Sequence, residues 1–233
     1  TEMMQIALHD THILASKRLF MTATERIQTP QVQAFLEKHG NESYSMDDES
    51  LYGKVFHRLT FGRAIELKLI ADYRIVLAFY ESQGEDVDKL LESVVEVNQI
   101  KDKLNWESVF QASMLAKALD AGEVNKVITF QNLVDRAIAF AELVKVLSPK
   151  STSINTIHGY QGAKIRDEIK HQFGLTEKGV LTNVRCLSEG VDLPEVDAVM
   201  FCDERTSVID LVQAVGRALR KPEGEDKIAT ILL

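Results

Sequence analysis

Apolar and polar positions fall in blocks along this chain. From about residue 72 onward, short runs rich in apolar and β-branched residues recur: Arg74 to Phe79 (RIVLAF), Lys126 to Phe130 (KVITF), Ser151 to Ile157, Val180 to Val184, Ala198 to Cys202 and Lys227 to Leu232. Unbroken apolar runs of this length between turns predict strands covered on both faces. Between them, Trp106 to Ala121, Asn132 to Leu147, Ala163 to Phe173 and Val208 to Arg220 carry apolar residues three and four apart, the helical period. Val134, Ile138, Ala141 and Val144 make one such stripe; Ile209, Val212, Val215 and Leu219 make another. Alternation of strands and helices predicts a doubly wound α/β domain: a parallel sheet, right-handed crossovers, and helices on both faces.

The first 71 residues have a different texture. They hold one strand pattern, Arg18 to Thr22 (RLFMT), a polar stretch from Glu37 to Ser50 read as a solvated loop, and a helical pattern at Phe61 to Leu69. One strand cannot bury a core, so this part reads as the end of a preceding domain plus a connector. Leu90 to Asn98 reads as an extra helix on the second domain. Thr1 to Asp10 lacks the basic-then-apolar order of a secretory signal and reads as mid-domain sequence.

Composition narrows the chemistry. Lys and Arg total 27 against 35 Asp and Glu, a net charge of −8, which excludes a nucleic-acid coat or cationic membrane binder acting by bulk charge. A local anion site built from a few arginines stays open. No apolar stretch approaches the ~20 residues of a membrane span. The two cysteines, Cys186 and Cys202, make neither a disulfide framework nor a zinc site and read as reduced thiols of a cytoplasmic chain. His9 and His12 have no companions spaced to complete a metal-ligand set.

Neither G-x-x-x-x-G-K-S/T nor G-x-G-x-x-G occurs, so the chain brings no phosphate-cradling loop of its own. The strand Ala198 to Cys202 runs into Asp203-Glu204; without a phosphate loop upstream these acids read as part of a strand-to-helix turn. The strongest pattern is Gln213-Ala214-Val215-Gly216-Arg217-Ala218-Leu219-Arg220, which gathers Gln213, Arg217 and Arg220 within two helical turns, with Gly216 open to close approach of a neighbour. A guanidinium donates in a planar fork that suits a phosphoryl group.

The order of motifs resembles superfamily 2 helicases and translocases from motif III through motif VI, over about residues 15 to 233. Thr22-Ala23-Thr24 is similar to motif III, Val127 to Gln131 to motif IV, Glu189 to Pro194 (EGVDLP) to motif V and Gln213 to Arg220 to motif VI; Ile157-His158-Gly159 is similar to the strand end that precedes motif V. The stretches Asp47 to Ile75 and Asn183 to Asp192 are similar to helicase subunits of restriction enzymes. Three positions depart from the pattern: Glu25 replaces the proline after motif III, Ser188 is the nearby hydroxyl where the threonine opening of motif V is missing, and Leu219 replaces the second glycine of motif VI.

The resemblance implies a RecA-like fold, with residues 1–71 as the tail of a first lobe plus connector and residues 72–233 as the C-terminal lobe. It implies ATP and Mg2+, held mainly by a first lobe, with Arg217 and Arg220 reaching the β- and γ-phosphates and Gln213 coupling the lobes. Asp192 would meet the ribose and the Gly190 backbone the nucleotide. Thr22 and Thr24 would relay nucleotide state to a nucleic-acid track, DNA in the first instance, built from Gln131, Asn132, His158, Gly159 and Ser188 through contacts blind to sequence. Without a first lobe the chain would be inactive. The alternative is a RecA-like docking or regulatory module without turnover.

Overall fold

The computed structural model describes residues 6–8, 11–22, 25–77, 105–184, 186, 196–204, 208–221 and 227–233, with Ala7, residues 208–210, Gln213 and Arg217 described by their backbone alone. The expected helix at Leu90 to Asn98 lies outside them. Two compact units divide between Leu59 and Thr60.

In the first unit, α1 spans Pro30–Lys38 and α2 spans Glu49–Tyr52. Pro30, with its fixed φ and missing N–H, suits the first helical position of α1. Asp48 caps α2, its carboxylate accepting the Ser50 hydroxyl at 2.6 Å and the Ser50 amide at 2.9 Å, which together hold it below the usual carboxylate range. Gly53 ends the helix at φ 75°, a left-handed backbone that glycine adopts without penalty. Two expectations are corrected here. The polar stretch Glu37 to Ser50 contains the end of α1 and the start of α2 rather than loop alone, and Arg18 to Thr22 forms no strand. A strand pattern needs a neighbour to take its backbone bonds, and none of the described residues pairs with this one.

The second unit opens with α3, Phe61–Glu66, followed by β1 (Asp72–Val76), α4 (Trp106–Asp120), β2 (Lys126–Phe130) and α5 (Val134–Leu147). It continues through β3 (Ser153–His158), α6 (Ala163–Leu175), β4 (Gly179–Val184), β5 (Ala198–Phe201), α7 (Val208–Ala218) and β6 (Ile228–Leu232). The six strands form one all-parallel sheet in the order β1-β6-β5-β2-β4-β3. Every residue of β2 and β4 is buried, as an interior parallel strand requires.

Each face of the sheet has its own core. On one, α4 and α5 pack Leu115, Leu119, Phe140, Leu143 and Val144 against Val127, Val180 and Met200. On the other, α6 and α7 pack Phe173, Ala214, Ala218 and Leu219 against Ile128, Leu181, Val199 and Ile231. The buried face of α5 differs from the expected stripe: it runs through Ala137, Phe140, Ala141, Leu143 and Val144 and leaves Ile138 44% exposed. Past the end of α7 the expected Leu219 is buried, and within it Val215 packs on the core beside the buried Ala214 and Ala218.

Polar groups fix the strand ends. The Asp197 carboxylate accepts the amides of Asn125 at 2.9 Å and Lys126 at 3.0 Å, tying the start of β5 to the start of β2. Lys126, 7% exposed, donates from Nζ to the Gly174 carbonyl at 2.7 Å, which is how a strand interior tolerates it. A side chain at Gly179 would bring its Cβ within 2.9 Å of Thr176 Oγ1 and 3.0 Å of the Phe173 ring, so this first position of β4 requires glycine.

Candidate functional site

In a parallel sheet the carboxyl ends of all strands share one edge, and ligands collect where outgoing connections diverge. Here that point lies between β2 and β5. The helix leaving β2 packs on one face and the helix leaving β5 on the other. Asp203, two residues past β5, spans the gap: its carboxylate accepts the Asn132 amide at 2.6 Å and Arg136 Nη1 at 3.3 Å. The Asn132 side-chain amide donates to the Glu204 carbonyl at 3.5 Å. Asp203 is 15% exposed on its side chain and Arg136 50%, so the pair sits partly shielded at the mouth of the crevice. The strand-to-helix turn expected for Asp203 is thus also a link between two loops.

Gln131, expected on an exposed track, is 2% exposed. Its side chain turns inward to exchange hydrogen bonds with Thr129 Oγ1 at 2.9 and 3.1 Å, and its amide donates to the Asn183 carbonyl at 3.0 Å. It braces the end of β2 and leaves Asn132 as the exposed member of the pair.

At the end of β3, the Gln161 amide donates to the His158 carbonyl at 3.1 Å, and Gln161 Oε1 accepts the His158 amide at 3.0 Å. This doubly tied turn carries Gly159 and Tyr160 at its two central positions, both exposed. His158 Nδ1 is buried without a hydrogen-bond partner among the described residues. Cys186 Sγ lies near Gly159 and accepts from Arg166 Nη1 at 3.8 Å.

The α7 backbone places Gln213 and Arg217 one turn apart on the helix that packs by Ala214 and Ala218. Arg220 lies beyond the end of α7 rather than within it, and is exposed. Just past the helix, Leu219 O accepts the Ala71 amide at 2.8 Å and Arg220 O accepts from Lys227 Nζ at 2.7 Å. A Cβ at Gly216 would meet nothing within 4 Å, so the helix surface there is open. Thr22 is exposed in the first unit, and Glu25, in the usual place of a proline, pairs with Arg58 at 2.7 Å. Thr24, Ser188, Gly190 and Asp192 lie outside the described residues.

The contacts of Asp203 escape sequence reading because its partners sit 67 and 71 residues away, where no spacing rule reaches. Among the described residues no helix is long and apolar enough to cross a membrane.

Residues 111–222 match the helicase conserved C-terminal domain. The chain is 27% identical over 235 residues to a "Probable helicase" of African swine fever virus (strain Badajoz 1971 Vero-adapted), an alignment covering 96% of this chain and 24% of that protein. A DEAD-box ATP-dependent RNA helicase of Oryza sativa subsp. japonica is 29% identical over 108 residues, covering 46% of this chain and 18% of its own length. Among solved structures, the ATP-dependent Type ISP restriction-modification enzyme LlaBIII bound to DNA superposes on 98% of this chain with a TM-score of 0.68 and 25% identity, using 16% of that enzyme. The chain therefore spans about a quarter of the viral relative's length. One all-parallel RecA-like sheet and these matches agree: residues 111–222 carry a helicase conserved C-terminal domain, and the fold is that of the C-terminal lobe of superfamily 2 helicases.

Proposed function

We propose that this lobe is the second half of an ATP-driven motor on nucleic acid, closing over a nucleotide held by a first lobe. The observation that carries the reading is the Gln213 to Arg220 segment, mounted on a helix packed to the sheet through Ala214 and Ala218, with open space at Gly216 and an exposed Arg220 at its end. These groups fit the phosphate half of a nucleotide site. When bound, ATP would supply the γ-phosphoryl group, and Arg217 and Arg220 would stabilise the charge developing on it. Gln213 would couple closure to the opposite lobe, while Asp192 and the Gly190 backbone would hold the ribose side. Asp203 is already engaged by Asn132 and Arg136, so magnesium falls to the first lobe. Residues 1–71 would contribute the end of that lobe, with Thr22 and Thr24 passing nucleotide state to the track. Asn132, His158, Gly159 and Ser188 would line the track, DNA in the first instance, with Gln131 supporting it from within.

The test is steady-state ATP hydrolysis by the full-length protein with single-stranded DNA present. Arg217→Ala should lower turnover by roughly three orders of magnitude or more, Arg217→Lys should rescue poorly because a point charge lacks the planar fork, and unfolding should be unchanged. Turnover that survives Arg217→Ala would instead favour a docking or regulatory module.

A further inference from the structure

We infer that Tyr160 is a stacking platform for an unpaired base, so that this lobe holds single strands by a base face as well as by phosphates; the inference rests on the nucleic-acid reading above. Tyr160 is 89% exposed, the most exposed aromatic ring among the described residues. An aromatic ring left in water gains by covering its faces. Its backbone is not loose: the Gln161 amide and side chain both bond His158, and Gln161 Nε2 donates to the Thr156 carbonyl at 3.0 Å. A ring at the centre of such a turn is presented in a fixed place, which lowers the ordering cost of binding.

The surroundings select the partner. His158 stands edge-on to the ring, with centroids 6.0 Å apart and planes at 63°, and so supports it without covering it as a stacked ring would. Gly159, the preceding residue, has no side chain to shield it. Immediately after the turn, α6 begins at Ala163 with no acidic residue and no side-chain cap in its first turn, and Lys164 there is exposed. The positive helix end and the ammonium favour a phosphate beside the ring. A flat apolar face next to a positive point matches one nucleotide of a single strand, base on the ring and phosphate on the helix end. In a duplex each base is already stacked on its neighbours, so the ring finds no open face.

Fluorescence anisotropy with this 233-residue chain tests the inference, using a labelled oligothymidylate, an abasic deoxyribose-phosphate oligomer of equal length, and a blunt duplex. Tyr160→Ala should weaken oligothymidylate binding by about 5- to 150-fold, Tyr160→Phe should keep most of the affinity, and neither should alter the salt slope. The unsubstituted chain should bind the abasic oligomer more weakly than oligothymidylate, and Tyr160→Ala should bind the two alike. Duplex binding should not respond to either substitution. If the chain binds oligothymidylate and Tyr160→Ala binds it equally well, the stacking role is overturned and the track reading stands. If the chain binds no oligomer at all, both fall, and the exposed ring becomes a candidate for a protein contact. A loss that appears equally on the abasic strand would assign Tyr160 to the backbone and also overturn stacking.

Discussion

The two units of this chain treat their apolar residues in opposite ways. In the unit from Thr60 to Leu233, Leu115, Leu119, Ile128, Leu143, Leu181 and Phe173 are each at most 1% exposed, sealed between helices and sheet. In the unit from Thr1 to Leu59, Leu14 is 90% exposed, Met21 84% and Phe56 82%. Apolar sequence alone therefore does not make a core. It becomes one where other elements of the same unit present a complementary face; in the first unit no described apolar side chain is buried, and Phe20 meets the Tyr52 ring edge to face.

Substitutions can break or sharpen that contrast. The largest effect is expected at Leu181, at the centre of the sheet: Leu181→Ala should cost about 2–5 kcal/mol in urea unfolding, whereas Met21→Ala should stay within about 0.5 kcal/mol. Equal losses at the two positions would mean that the first unit holds a core after all. A smaller loss is expected at the crevice between β2 and β5. Asp203→Ala removes the acceptor for the Asn132 amide and the Arg136 guanidinium, both of which reach solvent, and should cost about 0.5–1.5 kcal/mol in the same assay. An unchanged midpoint would show that water replaces the carboxylate at no cost. The smallest effect is expected at Gly216, where a methyl group meets open space. Gly216→Ala should raise the stability of this chain by up to about 1 kcal/mol in thermal unfolding, from helix propensity alone. A loss of stability would mean that something in the chain already packs there.

Much of the second unit was legible because a parallel sheet writes itself plainly. Lys126 to Phe130 and Val180 to Val184 are rich in apolar and β-branched residues, and the structure buries them throughout. The expected start of α4 at Trp106 held, where the Asn105 side chain accepts the Ser108 amide and caps the helix, while α5 starts at Val134 rather than Asn132. The helix Pro30–Lys38 was missed because it buries no residue, so no apolar stripe marks it. Arg18 to Thr22 failed the other way: its pattern is real, yet no partner realises it. At the site, the motif order was legible only as a resemblance, whereas the helical spacing of Val208 to Arg220 by itself placed α7, which runs to Ala218. Gln131 was misjudged because facing is set by a hydrogen bond to Thr129 two residues earlier, which residue type does not reveal. Asp203 and Tyr160 escaped because their significance depends on distant partners and on exposure.

The pairing of β1 with β6 has a consequence for how this protein is made. Residue for residue, Asp72 lies against Ile228 and Val76 against Leu232, and Arg74 reaches Thr230 across 156 residues of chain. During synthesis β2, β3 and β4 can leave the ribosome and pair while β6 is still unmade. Strand β1, translated before them, must wait for the last one. Its partner is the last strand of the sheet to be made, so the longest loop in the unit closes last. The edge of the sheet is therefore an assembly checkpoint: a chain that stops short of Ile228 keeps its central strands and leaves β1 as a free edge, open to pairing with another molecule.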